Sequence, residues 1–182
     1  MKRLACWLLL IPGLPAFAAE SLAVDPTHSA VIFSWSHFGI SNPVARLEKI
    51  AGTLNLDRTD LTKSSIAVTL PLSGLRTGVE RLDARLKTPE FLDAARFPEV
   101  TFKSTRITAT GDQRLRIVGD LSVHGVTKPV ALEVRINRID ATTAGFDADV
   151  TIRRSDFGVT KYVPAVTDEL HVHITLDAHS GD

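Results

Sequence analysis

Side-chain character alternates along nearly the whole chain, and a period of two leaves few folds open. "SAVIFSWSHF" puts Val31, Phe33 and Trp35 on one side; "GTLNLD" does the same with Leu54 and Leu56. "SIAVTLPL" offers Ile66, Val68, Leu70 and Leu72, and "EVTFKS" offers Val100 and Phe102. Four longer runs follow, built on Leu115, Ile117, Leu121 and Val123, on Val130, Leu132, Val134 and Ile136, on Phe146, Val150 and Ile152, and on Leu170, Val172, Ile174 and Leu176. Such a pattern makes strands with one dry and one wet face. Short connections between them imply antiparallel neighbours. Eight one-sided strands in one small domain predict an all-β barrel or sandwich.

Turn signals separate the runs: "GDQ" at 111–113, "HGVTKP" at 124–129 and "TTAG" at 142–145. One region departs from the period of two. In residues 77–98, Val79, Leu82 and Leu86 recur at spacings of three and four, which predicts a helix. Thr88 followed by Pro89 predicts a cap and first-turn proline for a second short helix. The insert carries Phe91 and Phe97, so it is expected to pack on the barrel or close one end.

The N-terminus reads differently. "MKRLACWLLLIPGLPAFA" has a basic start, an apolar run too short to span a bilayer, and small residues at Ala16 and Ala18. Residues 1–18 are expected to be a cleaved secretory signal, with the barrel domain in 19–182. Cys6, the only cysteine, would leave with the signal. A mature chain without thiols excludes disulfides, thiolate nucleophiles and Cys-ligated metals. The full chain balances 21 basic against 21 acidic residues, with no basic stripe. Nucleic acid is therefore not an expected partner.

"ELHVHITLDAH" at 169–179 spaces His171 and His173 for one strand face, as a metal site would require. Leu170, Val172, Ile174, Leu176 and Ala178 take the dry face, so the histidines look outward. That predicts a solvated surface, at most a loose site for an added divalent metal, and no physiological metal centre. "SDFGV" at 155–159 lacks the companion kinase elements and reads as a turn. His28, with Asp25 and Ser29 nearby, permits a Ser-His-Asp arrangement on paper, but no nucleophile elbow supports it. His124 reads as a hairpin residue. His37 shares the face of Val31, Phe33 and Trp35, so it is the candidate for a polar contact at a barrel mouth, or else a hydrogen-bonded structural histidine. Arg81, Asp83 and Arg85 read as a solvated helix face.

Four stretches resemble one family. "VDPTHSAVIFSWSHFGIS", "RLDARLKTPEFLDAARFPEVTFKST", "GDLSVHGVTKPVALEV" and "SDFGVTKYVPAVTDELHVHI" occur in the order found in the YceI-like polyisoprenoid-binding proteins, over about residues 22–178. The resemblance implies an eight-stranded antiparallel lipocalin-like barrel with a short helical insert at about 77–98. It also implies an apolar interior holding an isoprenoid chain, a periplasmic location, and no catalytic residues or cofactor beyond the lipid. Trp35 stands where relatives often have a smaller aliphatic, and Arg85 where a histidine is expected, which leaves the length of the bound chain open.

The expected lining is Val31, Phe33, Trp35, Leu54, Val68 and Leu70 from the first half, Leu86 and Phe91 from the insert, and Phe102, Leu121, Val123, Leu132 and Val150 beyond it, with His37 at the rim. The expected partner is a polyisoprenoid or isoprenoid quinone, with room for transient membrane contact and for a homodimer. Two other classes stay open on the pattern alone: a periplasmic hydrolase or isomerase using a rim histidine, and a ligand-free stress protein with a filled core.

Overall fold

A computed structural model describes residues 19–181. The expected signal at 1–18 lies outside the described residues. Eleven strands form one antiparallel sheet: β1 (Glu20–Val24), β2 (Ala30–Ser34), β3 (Val44–Leu47), β4 (Ala51–Leu56), β5 (Ser65–Pro71), β6 (Leu75–Arg76), β7 (Glu99–Gly111), β8 (Arg114–Val123), β9 (Val126–Ile139), β10 (Thr143–Arg153) and β11 (Glu169–His179). The eight predicted runs are β2, β4, β5 and β7 to β11. The three extra strands continue others across a bend. β1 with β2, β3 with β4, and β5 with β6 each act as one bent strand: β1 pairs β4 while β2 pairs β3, and β4 pairs β5 while β3 pairs β6. Counted so, eight strands run as a meander, and β11 closes the ring onto β1 and β2.

The connections sort to two ends. One end holds the turns at 57–64, 112–113 and 140–142. Leu61 sits there in a short 3₁₀ turn. Arg58 ties this end together, reaching Glu20 at 2.8 Å and the carbonyls of Asp140 and Ala141. The other end holds the loop 35–43, the insert 77–98, the segment 154–168 and the tight β8–β9 turn. That turn is only His124-Gly125, both at positive φ (51° and 73°), as a two-residue hairpin requires. Thr127 to Pro129, read as turn from the sequence, already belong to β9.

The insert contains one helix, α1 (Glu80–Leu86). The second helix expected from Thr88 and Pro89 does not form. Here the backbone winds through irregular turns instead: Leu92 N bonds Leu86 O, Asp93 N bonds Thr88 O, and Asp93 itself lies at φ 46°. Pro89 has no N–H to give, and the segment is too short to repay helix nucleation. Asp83 does not face Lys87 as a surface pair; its carboxylate accepts from Thr77 N (2.7 Å) and Thr77 Oγ1 (2.6 Å), pinning the entry to α1.

Side-chain burial divides the barrel lengthwise. On β8, Leu115 and Ile117 are buried while Leu121 and Val123 are half-buried. On β10, Phe146 and Ala148 are buried while Val150 and Ile152 are half-buried. On β11, Leu176 and Ala178 are buried while Leu170, Val172 and Ile174 are half-buried. All of these point inward by register. The half beside Leu61 is therefore the more tightly packed, and the half beneath the insert is the more open inside.

Four aspartates build the turns. Asp25, Asp57, Asp60 and Asp140 each accept a threonine hydroxyl and backbone N–H groups within three residues. Those threonine bonds hold the Asp25, Asp57 and Asp60 carboxyls below the usual range and the Asp140 carboxyl at about 2. A folded pKa below the unfolded value of about 3.9 gives stability that is complete above that value and is lost as pH falls toward the folded one. Thermal melts followed by circular dichroism should fall in midpoint as pH drops from about 5 to about 2, and the fall should be shallower in Asp140→Asn.

Candidate functional site

The barrel encloses a cavity of about 360 Å³, within the size range of small-molecule sites, whose wall runs from the insert to Leu61 and Ser64 at the other end. Its wall is almost entirely carbon, drawn from every barrel strand of the ring and from the insert. All fourteen residues named from the sequence stand on this wall: Val31, Phe33, Trp35 and His37 along β2 and its exit, Leu54, Val68 and Leu70 on β4 and β5, Leu86 and Phe91 in the insert, and Phe102, Leu121, Val123, Leu132 and Val150 on β7 to β10. Trp35 is 8% exposed and leans on Phe33, ring centroids 5.9 Å apart. His37 is exposed, bridges in backbone to Ser41 and Val166, and so sits at the rim.

One inward position of the barrel carries no side chain. Gly119 occupies an inward position on β8, where a Cβ would come within 2.4 Å of the Phe102 ring. The ring crosses the strand only because that side chain is absent.

The sequence reading passed over Arg154. This guanidinium is 7% exposed and lines the cavity. Nε donates to Thr167 O (2.9 Å), Nη1 to Val159 O (3.1 Å) and Lys161 O (2.9 Å), and Nη2 to Val166 O (2.9 Å). Burial pushes it below the ordinary arginine range, opposed by the nearby Asp168 charge. It gathers four carbonyls of the 159–167 segment, which would otherwise turn unpaired toward an apolar cavity. A signal for it was present: the inward row Phe146, Ala148, Val150, Ile152 continues to position 154, so a charge falls where the pattern calls for carbon. Gly158, at φ 80°, ends the short 3₁₀ turn of Arg154–Phe157, and Phe157 is buried, as the turn reading of "SDFGV" expects.

Arg81 and Arg85 are exposed, as the solvated-face reading expects, but Arg85 is also engaged across the mouth. It lines the cavity, donates to the Tyr162 hydroxyl at 2.6 Å, and lies over the rings of Phe91 (5.7 Å) and Tyr162 (5.6 Å). Lys161 bonds Glu90 at 2.9 Å beside it. These contacts join the insert to the 154–168 segment across the mouth. Tyr162, like Arg154, was not named from the sequence.

The other histidines stand apart. His124 faces Phe157 O at 3.2 Å and meets the Phe97 ring edge-on, a structural role. His28 Nδ1 is 2.7 Å from Asp25, which raises its pKa, but the pair lies on an exposed turn. Ser29 is buried and bonded to the backbone of Asp177, so no triad assembles there. His171 and His173 point out of the barrel toward Thr151 (3.2 Å) and Asp149 (2.8 Å). Among the described residues, no three metal-ligating side chains come together.

A closed meander barrel with one carbon-walled cavity under a short insert is the architecture of a lipocalin-like binding fold. The YceI-like domain model matches residues 22–178, and the chain belongs to the YceI-like family. Protein YceI of Salmonella arizonae is 30% identical over 175 residues, covering 93% of this chain and 91% of the relative. Among solved structures, BcnA of Burkholderia cenocepacia aligns with a TM-score of 0.79 at 22% identity, over 85% of this chain and 98% of that one. A polyisoprenoid binding domain from Saccharophagus degradans aligns with a TM-score of 0.72 at 14% identity, over 90% and 99%.

Removing the Arg154 charge should undo the mouth. Arg154→Met leaves four carbonyls without their donor, and losing such a buried network costs about 3 kcal/mol or more. Urea unfolding should show that loss, and limited proteolysis should cut within 158–168 first.

Proposed function

We propose that this protein is a periplasmic carrier or store for a polyisoprenoid lipid, an isoprenoid quinone or its precursor. The observation that carries the reading is the carbon-walled cavity inside the barrel, beneath the insert. Each CH₂ moved from water into it gains about 0.8 kcal/mol, so a prenyl tail needs no charged contact to bind. Membership of the YceI-like family and the fold shared with a polyisoprenoid binding domain support it. The polar wall residues, His37, Ser64, Arg85, Asp147, Arg154 and Tyr162, contain no nucleophile paired with a base, which favours a binding protein over a hydrolase or isomerase. The lipid is the only ligand proposed, with no cofactor. The periplasmic location rests on the secretory signal read in residues 1–18.

Mature protein purified from a bacterial periplasm and extracted with organic solvent should yield about one isoprenoid per chain, with successive C₅H₈ losses in the mass spectrum. Leu121→Arg, which puts a charge into the cavity wall, should fold and lose the lipid. An extract that stays empty after polyprenyl lipids are added would defeat the carrier reading.

Such a cargo resides in membranes, and the mouth is dressed for contact with one. The exposed large apolar residues among those described are Phe38, Ile40, Val44, Val79, Tyr162 and Val163, all on segments at the open end. Ile40 is 87% exposed and Phe38 54%. A bilayer is the proposed surface for loading, because the loop that exposes Phe38 and Ile40 also carries Trp35 and His37 of the cavity wall. Flotation with phospholipid vesicles should recover the wild type and lose the Phe38→Asp, Ile40→Asp double variant, with unchanged lipid content in the protein already loaded. Equal flotation of the two would remove the rim from the loading step.

A further inference from the structure

Polar groups are unevenly placed on the cavity wall. Four of the six, His37, Arg85, Arg154 and Tyr162, belong to the open end. Of the other two, Ser64 Oγ is taken by Asp57 N at 2.9 Å, and the Asp147 carboxylate is taken by Arg135 at 2.5 Å on the outer face. The tail half of the cavity therefore offers an oxygen-bearing head group at most the one hydroxyl hydrogen of Ser64, while the mouth sets a guanidinium and a phenol side by side.

The groups at the mouth differ in what they have left to give. Arg154 already commits four N–H groups to backbone carbonyls. Arg85 has one hydrogen-bonded partner, the Tyr162 hydroxyl, while Glu90 stands at 3.6 Å, beyond hydrogen-bond reach. A guanidinium carries five N–H donors, so most of those on Arg85 are available. The Tyr162 oxygen accepts from Arg85, so its own hydrogen is free to donate. Glu90 is an ion-pair partner of Arg85 through Oε2 and bonds Lys161 through Oε1 at 2.9 Å, so it neutralises part of the charge without taking an Arg85 N–H. Arg85 is also held in place, stacked over Phe91 and Tyr162, so little side-chain freedom is left to lose on binding. The mouth is thus a fixed, donor-rich station above an apolar well.

We infer that Arg85 and Tyr162 form the head-group site of the cavity, and that the site takes a prenyl lipid whose head presents acceptor oxygens, a ring carbonyl or a phosphate. This rests on the carrier reading above and adds the orientation: the tail enters first, toward Leu121 and Val150, and the head stops between the insert and the 154–168 segment.

Trp35 lines the cavity and is the only tryptophan after residue 18, so its fluorescence reports occupancy. The mature protein is titrated with three lipids of matched tail length: a polyprenyl benzoquinone, a polyprenyl phosphate, and a polyene hydrocarbon with no acceptor. Arg85→Met should weaken one or both oxygen-bearing lipids by about tenfold or more, the scale of a hydrogen bond to a charged group. Tyr162→Phe should weaken the same lipids by less, and hydrocarbon affinity should stay unchanged in both variants, which also shows that they are folded. A larger loss for the phosphate identifies an anionic head; an equal loss for both identifies the neutral carbonyl as sufficient. A loss shared by all three lipids, or by none, overturns the site. Failure of the wild type to bind any of the three would instead overturn the carrier reading.

Discussion

Every closure of this barrel runs through β11. One edge of that strand is taken by β10 along all eleven of its residues. The other edge must be shared, because β2 covers 171–175 and β1 reaches only 178–179. Between them Asp177 would be left with an unpaired backbone. Ser29 fills the gap: its hydroxyl accepts from Asp177 N at 3.0 Å, and Asp25 N donates to Asp177 O at 2.8 Å. A hydroxyl that is 1% exposed thus stands in for a missing ladder partner. The bend between β1 and β2 follows from this, and it is the bend that lets one segment seal the more tightly packed half and continue up the wall of the more open half.

An eight-stranded ring has room for one layer of large side chains or for one ligand. This chain does both, at different heights. Leu56, Ile107, Leu115, Phe146 and Leu176 are buried members of the hydrophobic core and, with Leu61, form the inner end of the cavity wall. Above them the inward residues of β8, β10 and β11 are only half-buried. The more tightly packed half can hold the fold while the upper half waits for cargo. The inserts are confined to the upper end, where they cover apolar wall that would otherwise face water.

Much of this was legible in the residues. A strict period of two does not distinguish filled from hollow, but it does say which side chains face inward, and the twelve residues read on strand faces stand on the cavity wall beside Leu86 and Phe91 of the insert. β1, β3 and β6 escaped notice because each is short and continues a strand across a bend that depends on tertiary partners: Ser29 against Asp177, and Gly74 against Glu48. The second helix of the insert was misread for a related reason. Thr88-Pro89 is a sound local start signal, yet the chain has only ten residues to reach Glu99 and must bring Phe91, Leu92 and Phe97 onto the barrel, and turns do this where a helix would overshoot. The polar mouth was read only in part, through His37, because its main contacts join residues more than seventy positions apart: Arg85 to Tyr162, and Glu90 to Lys161.

Arg154 shows why the mouth has the form it does. A segment that arches over an apolar cavity cannot turn its carbonyls to water on that side, and only its 165–167 stretch bonds a neighbour, the backbone of 36–38. One buried guanidinium, with a planar fork of donors, answers for four of them at once. A lysine could not reach four acceptors in that spread, and an apolar residue would leave all four unpaired. Asp168 accepts from Ser155 N at 2.8 Å and Ser155 Oγ at 2.6 Å, and places a counter-charge beside the guanidinium. The rigid base so formed leaves Lys161 and Tyr162 at the outer tip of the arch, facing the insert. A charge buried for backbone reasons thereby positions a hydroxyl for recognition, and the two roles divide cleanly between Arg154, which is nearly saturated, and Arg85, which is not.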